Sequence, residues 1–239
     1  MSTPFSYFDL IEVFEKPGCA VCNLLLRDAD RYIGSLLYEY SMDLAAQRTF
    51  RAARGLCNEH GWQLVNHRGG VLNITVLYSA ALDEIQEILN GAGEGKANSS
   101  WLKRLRGGKE ADASTLAESL EAKQKCPACE LMKEAERFYI QTMSQYIGER
   151  KFEAAYRGSD GLCLPHFRQV LRETHVAESL QQLITIQSEI WAKLQSELEA
   201  LKDRYDPNRA ELAVGEDNGS WRRAIRLLAG EKGVFGKGD

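Results

Sequence analysis

A chain of 239 residues, 44% of them hydrophobic and 27% charged, has the make-up of a globular protein and the length for one larger domain or two of about 100 residues. Its net charge of −4 gives no general attraction for nucleic acid, and no apolar run approaches the ~18 residues of a membrane span. The start, MSTPFSYFDLIEVFEK, lacks a basic leader and an apolar segment, so a cytoplasmic chain with reduced thiols is expected.

In chain order the pattern is helical. After Cys19, apolar side chains recur at Leu25, Ala29, Ile33, Leu36, Leu37 and Tyr40, close to the 3.6-residue period of an amphipathic helix. A short helix is expected over 43–53, then a third helical set from Leu64 and Val65 to 72–89, broken at Gly69-Gly70. The stretch NGAGEGKANSSWLKRLRGGKEADAS, rich in Gly and Ser, predicts a flexible linker over 91–115. Its basic run Lys103, Arg104 and Arg106 beside Trp101 is expected to be a solvated loop.

The order then repeats. A helix after Cys129 carries Leu131, Ala135, Phe138, Tyr139, Thr142 and Met143, and a short one is expected over 148–156. Neither Gly nor Pro interrupts 166–206, which predicts one long helix whose Leu180, Leu183, Ile190, Leu194 and Leu201 form a core stripe. In the tail, 207–239, Trp221, Ile225 and Leu228 share one face of a helix expected to dock on the body through that face.

The chemistry lies in the cysteines. GLCNEH at 55–60 returns as GLCLPH at 161–166, and the match extends upstream, with Phe50-Arg51 answered by Tyr156-Arg157. Cys19-Ala20-Val21-Cys22 is matched by Cys126-Pro127-Ala128-Cys129, 107 positions later, and Cys163 follows Cys57 by 106. The chain thus holds an internal repeat in which each half carries Cys-x2-Cys and then Cys-x2-His. All six cysteines and two of the four histidines fall in these motifs.

Three thiolates and one imidazole complete a tetrahedral shell, the donor set of structural zinc. The Pro and Gly residues around the motifs place the ligands at helix N-termini, where amides and the helix dipole stabilise thiolates. The sequence predicts two Zn2+ per chain, one in each half. Cys19, Cys22, Cys57 and His60 would hold one, and Cys126, Cys129, Cys163 and His166 the other. Pairing across the halves is the alternative, since a repeat shows which ligands exist but not their connections. Metal-free buried cysteines, an iron–sulfur cluster and thiol redox chemistry on the same cysteines stay open as other readings. A hydrolytic zinc site would need one ligand displaced by water. No phosphate-binding loop, His-Glu-x2-His or G-x-S-x-G is present, so no catalytic residues are assigned and an enzyme is not expected.

The segments EKPGCAVC, RGLCNEHGWQL, KCPACELMKEAERFY, SDGLCLPHFRQVL and WRRAIRLLAGEKGVF resemble a bacterial family of helical proteins classed as a domain of unknown function. The resemblance covers nearly the whole chain. It implies the same eight metal-ligand candidates and no activity. The expectation is an all-α helical bundle of two halves, 1–90 and 116–206, each stapled by its own Cys3His site, followed by a helical tail. Its expected role is that of a zinc-binding scaffold or interaction protein, with a protein as the partner sought and neither nucleic acid nor membrane.

Overall fold

A computed structural model describes residues 3–67, 69–93, 113–205 and 219–235 of the chain. Every regular element among them is helical: α1 (Phe5–Val13), α2 (Ala20–Tyr38), α3 (Leu44–Ala52), α4 (Asn58–Gln63) with a 3-10 turn (Leu64–Asn66), α5 (Val71–Gly93), α6 (Ala113–Leu120), α7 (Pro127–Tyr146), α8 (Arg150–Arg157), α9 (Leu164–Glu173), α10 (Ala177–Arg204) and α11 (Ser220–Ala229). The all-α expectation holds. None of these helices is long and apolar enough to cross a membrane. The linker expected over 91–115 lies mostly outside the described residues, as do Trp101, Lys103, Arg104 and Arg106.

The chain divides into two compact units, and the division does not follow the 1–90 and 116–206 halves. The first unit joins Met1–Asp28 to Lys133–Asp239; the second is Ala29–Met132. In the first, α1 supplies Tyr7, Leu10 and Val13 to a core with Tyr139, Ile140, Met143, Phe152 and Tyr156. Its aromatic rings stack edge-on or tilted, Tyr7 with Tyr146 at 5.1 Å and Phe14 with Phe152 at 5.3 Å between centroids, contacts worth ~0.5–1.5 kcal/mol each beyond burial. In the second, Ile33, Leu36 and Leu37 near the end of α2 pack with Phe50, Leu64, Leu77 and Ala81.

Three periodicity readings are corrected. Residues 166–206 form two helices rather than one. The break needs neither Gly nor Pro, because Thr174 turns extended (φ −91, ψ 108) while its hydroxyl donates to Val170 O at 2.7 Å. Ser144 Oγ meanwhile donates to Glu173 O at 3.0 Å, so side chains replace the helical bonds. Phe138 stands 56% exposed, whereas Tyr139, Thr142 and Met143 are buried as expected and are joined on α7 by Met132 and Ile140. Finally, α11 packs on α10 and α9, but Trp221, Ile225 and Leu228 are 42, 58 and 62% exposed. The docked face carries Ser220, Ala224 and Leu227, with Arg223 ion-paired to Glu197 on α10. Small residues let the helices approach and the ion pair fixes the rotation.

The Gly-Leu that precedes each Cys-x2-His has a conformational cause. Gly55 (φ +93) and Gly161 (φ +77) occupy the left-handed region, which side chains disfavour. A Cβ on Gly161 would also stand 2.6 Å from Gln187 Nε2. Gln187 is buried and organises this loop, its Oε1 accepting from Leu162 N at 3.0 Å and from the Tyr156 hydroxyl. Gly161→Ala is expected to cost on the order of 1–3 kcal/mol, measured by urea unfolding with metal in excess.

Candidate metal centre

All four ligand motifs use one local geometry. Cys19, Cys57, Cys126 and Cys163 each stand immediately before a helix, and each carbonyl accepts the first helical hydrogen bond, from Asn23, Gly61, Glu130 and Phe167 at 2.7–3.1 Å. The second ligand of each motif, three residues on, lies in the first turn. Side chains at these two positions converge, as in a capping box, which is the physical reason for the two-residue spacer. Cys57 and Cys163 make no side-chain cap to their own helices; each sulfur lies instead in a cluster of four donors.

The structure brings the eight residues into two clusters, and the pairing is not the one expected within the halves. Cys19 and Cys22 join Cys163 and His166, while Cys57 and His60 join Cys126 and Cys129. Each Cys-x2-Cys thus meets the other half's Cys-x2-His. Helix length is the cause. The 19 residues of α2 rise about 28 Å, and the segment leading to Cys57 is tied by Phe50 and Leu64 to Ile33, Leu36 and Leu37 at the far end. The 20 residues of α7 likewise make a helix about 30 Å long. The loops ahead of the partner motifs are joined instead. Gly18 N donates to Asp160 at 2.8 Å, and Lys123 N donates to Ala52 O at 2.7 Å.

The donor atoms of each cluster lie within 4.8 Å of one another. In the first, His166 Nδ1 is 3.4, 3.4 and 3.3 Å from the sulfurs of Cys19, Cys22 and Cys163, and the Cys22 and Cys163 sulfurs are 3.7 Å apart. In the second, His60 Nδ1 is 3.2, 3.6 and 3.4 Å from Cys57, Cys126 and Cys129, with 3.6 Å between the Cys57 and Cys129 sulfurs. A zinc tetrahedron with its usual bond lengths has edges of about 3.8 Å (S···S) and about 3.6 Å (S···N). The observed edges fit one ion at each centre. They are far too long for disulfides, whose sulfurs bond at about 2.05 Å, and all six cysteines are free.

The first cluster is buried at every ligand. Burial opposes ionisation of Cys19, but hydrogen bonds from Cys163, Cys22 and His166 bring its pKa well below the ordinary thiol value. Hydrogen bonding to Cys163 and Cys19, then burial, drives Cys22 the other way. Burial also disfavours the His166 cation, yet Cys163, Cys19 and Glu136 together hold its pKa well above the ordinary value. Cys19 and His166 therefore favour a thiolate–imidazolium pair within the cluster.

Residues outside the repeated motifs complete the surroundings. Glu136 Oε1 lies 3.1 Å from His166 Nε2 and accepts from Gln169 Nε2 at 2.6 Å. A carboxylate there fixes the tautomer that leaves Nδ1 free to ligate. The sequence signal for Glu136 is a charge seven residues after Cys129, on the face that also carries Met132 and Tyr139. The Phe235 ring packs on His166 at 4.7 Å, a contact that sequence periodicity does not reveal. At the second cluster, His60 Nε2 faces the Met132 thioether at 3.1 Å. Glu136→Gln is expected to weaken metal binding at the first centre by about 10–100-fold, read by competition with a chelator. Met132→Leu should leave the second centre's affinity within a few-fold.

A model of the Family of unknown function (DUF6062) matches residues 8–234. No curated protein and no solved structure matches the chain.

Proposed function

We propose a structural zinc protein with an interaction role, for the chain belongs to the family of unknown function DUF6062, and that membership brings no activity with it. The carrying observation is the pair of closed Cys3His shells with tetrahedral edge lengths. Four protein ligands leave no position for a substrate or an activated water, which is the pattern of a structural rather than a catalytic zinc. Zinc bound there would tie helix starts that are distant in sequence, and it would carry a net charge of −1 offset by helix-terminal amides. Donor atoms this close accommodate a single ion better than the wider body of an iron–sulfur cluster. Exposed large apolar side chains, Trp62 and Val65 in one unit and Trp221, Ile225 and Leu228 in the other, support contact with other proteins.

The test is elemental analysis with a visible spectrum on untagged protein purified without oxygen. Two zinc ions per chain and no visible absorption are expected. A coloured protein, or one with no bound metal, would refute the zinc reading.

A further inference from the structure

The two donor sets are alike in composition and unlike in surroundings. Around Cys19, Cys22, Cys163 and His166 every ligand is buried, Glu136 backs the imidazole, and Phe235 covers its ring. The backbone at Gly230 comes so close that a Cβ there would lie 3.7 Å from Cys22 Sγ. At the other centre Cys57 and Cys129 are both partly exposed. His60 Nε2 faces the Met132 thioether there, a weak acceptor. Cys57 also lines an open apolar groove of about 350 Å3 with Leu56, Trp62, Leu64, Val65 and Tyr78.

These differences act in one direction. A zinc-bound thiolate remains nucleophilic, and its reaction with an electrophile is limited by access to sulfur. The carboxylate behind His166 strengthens the hold of the buried centre on its ion. We propose that the centre of Cys57, His60, Cys126 and Cys129 is an exchangeable zinc site that discharges its ion on reaction with a hydroperoxide, while the centre of Cys19, Cys22, Cys163 and His166 keeps its ion. The proposal rests on the zinc reading above.

The chemistry balances with a hydroperoxide as the two-electron oxidant. One thiolate attacks the terminal peroxide oxygen and the O–O bond breaks. The leaving alkoxide takes a proton to become an alcohol, and the sulfur becomes a sulfenic acid. A second thiolate attacks that sulfur and expels hydroxide, which takes a proton to become water. Two thiolates, one hydroperoxide and two protons thus give a disulfide, an alcohol and water, and the ion leaves with two of its donors gone. The Cys57 and Cys129 sulfurs, 3.6 Å apart, are the pair placed to join.

The experiment treats the full chain, as purified with its metal, with a small excess of hydrogen peroxide. A chromogenic chelator reports released zinc, and alkylation with peptide mass mapping locates the oxidised cysteines. One zinc per chain should leave at least about ten times faster than the other, with Cys57 linked to Cys129 and with Cys19, Cys22 and Cys163 still reduced. A dithiol plus zinc should restore the starting state. Glu136→Gln should narrow the difference by speeding loss from the buried centre. Two bound ions released at equal rates, or oxidation of Cys19, Cys22 or Cys163 first, would overturn the proposal and leave the zinc reading standing. Protein that carries no zinc before treatment would overturn both.

Discussion

Stripping both ions with a strong chelator is expected to lower the melting temperature by more than about 20 °C and to remove the cooperativity of unfolding. Structural zinc in small peptides contributes an apparent ~10–16 kcal/mol that is coupled to folding. A whole domain is commonly stable by only ~5–15 kcal/mol. Each unit here has its own apolar core, so part of that term is shared, but a loss of even ~6 kcal/mol would shift a chain of this size by roughly 12–24 °C. Acid should act in the same direction, because protons compete with the ion for thiolates and imidazoles. Circular dichroism melts beside metal content check this. An unchanged melting temperature in fully stripped protein would refute a structural role.

Single-ligand variants should show where each ion acts. Cys163→Ser leaves Cys19, Cys22 and His166 as buried polar groups without a full shell, and breaking such a set costs several kcal/mol (about 3–5 for a buried charge left unpaired). Hydrogen exchange should then lose protection throughout the first unit, including α1 and the start of α2, although these lie more than a hundred residues before the substitution. Cys57→Ser should act instead on 29–93 and 113–132. His67→Gln and His175→Gln should leave metal content unchanged, since neither belongs to a cluster. His67 contacts Asp30 at 3.2 Å instead.

Much of this was readable from the residues, for physical reasons. The Cys-x2-Cys and Cys-x2-His spacers report side-chain convergence at a helix start, a local property that a sequence displays directly. The all-helical pattern was equally open, because α2 and α7 bury residues at three- and four-residue intervals. Connectivity was not. A repeat suggests that each half closes on itself, whereas a 19-residue helix between the first motif and α3 carries its ends apart. The run from Leu25 to Leu37, 13 residues, already amounts to about 20 Å of helix and argues for the exchange. The face of α11 was misread because the pattern of Trp221, Ile225 and Leu228 takes no account of small residues. Ser220 and Ala224 allow a closer approach, and Arg223 finds an acid on α10. The break at Thr174 was hidden because hydroxyl groups end a helix there without Gly or Pro.

The reciprocal pairing of ligands is the central claim, and metal stoichiometry in paired variants tests it most directly. Cys19→Ser with Cys163→Ser removes two ligands of one centre, so that protein should retain one zinc per chain. Cys19→Ser with Cys57→Ser damages both centres and should retain none. If the first pair loses both ions while the second keeps one, each half closes its own site and the exchange described here is wrong.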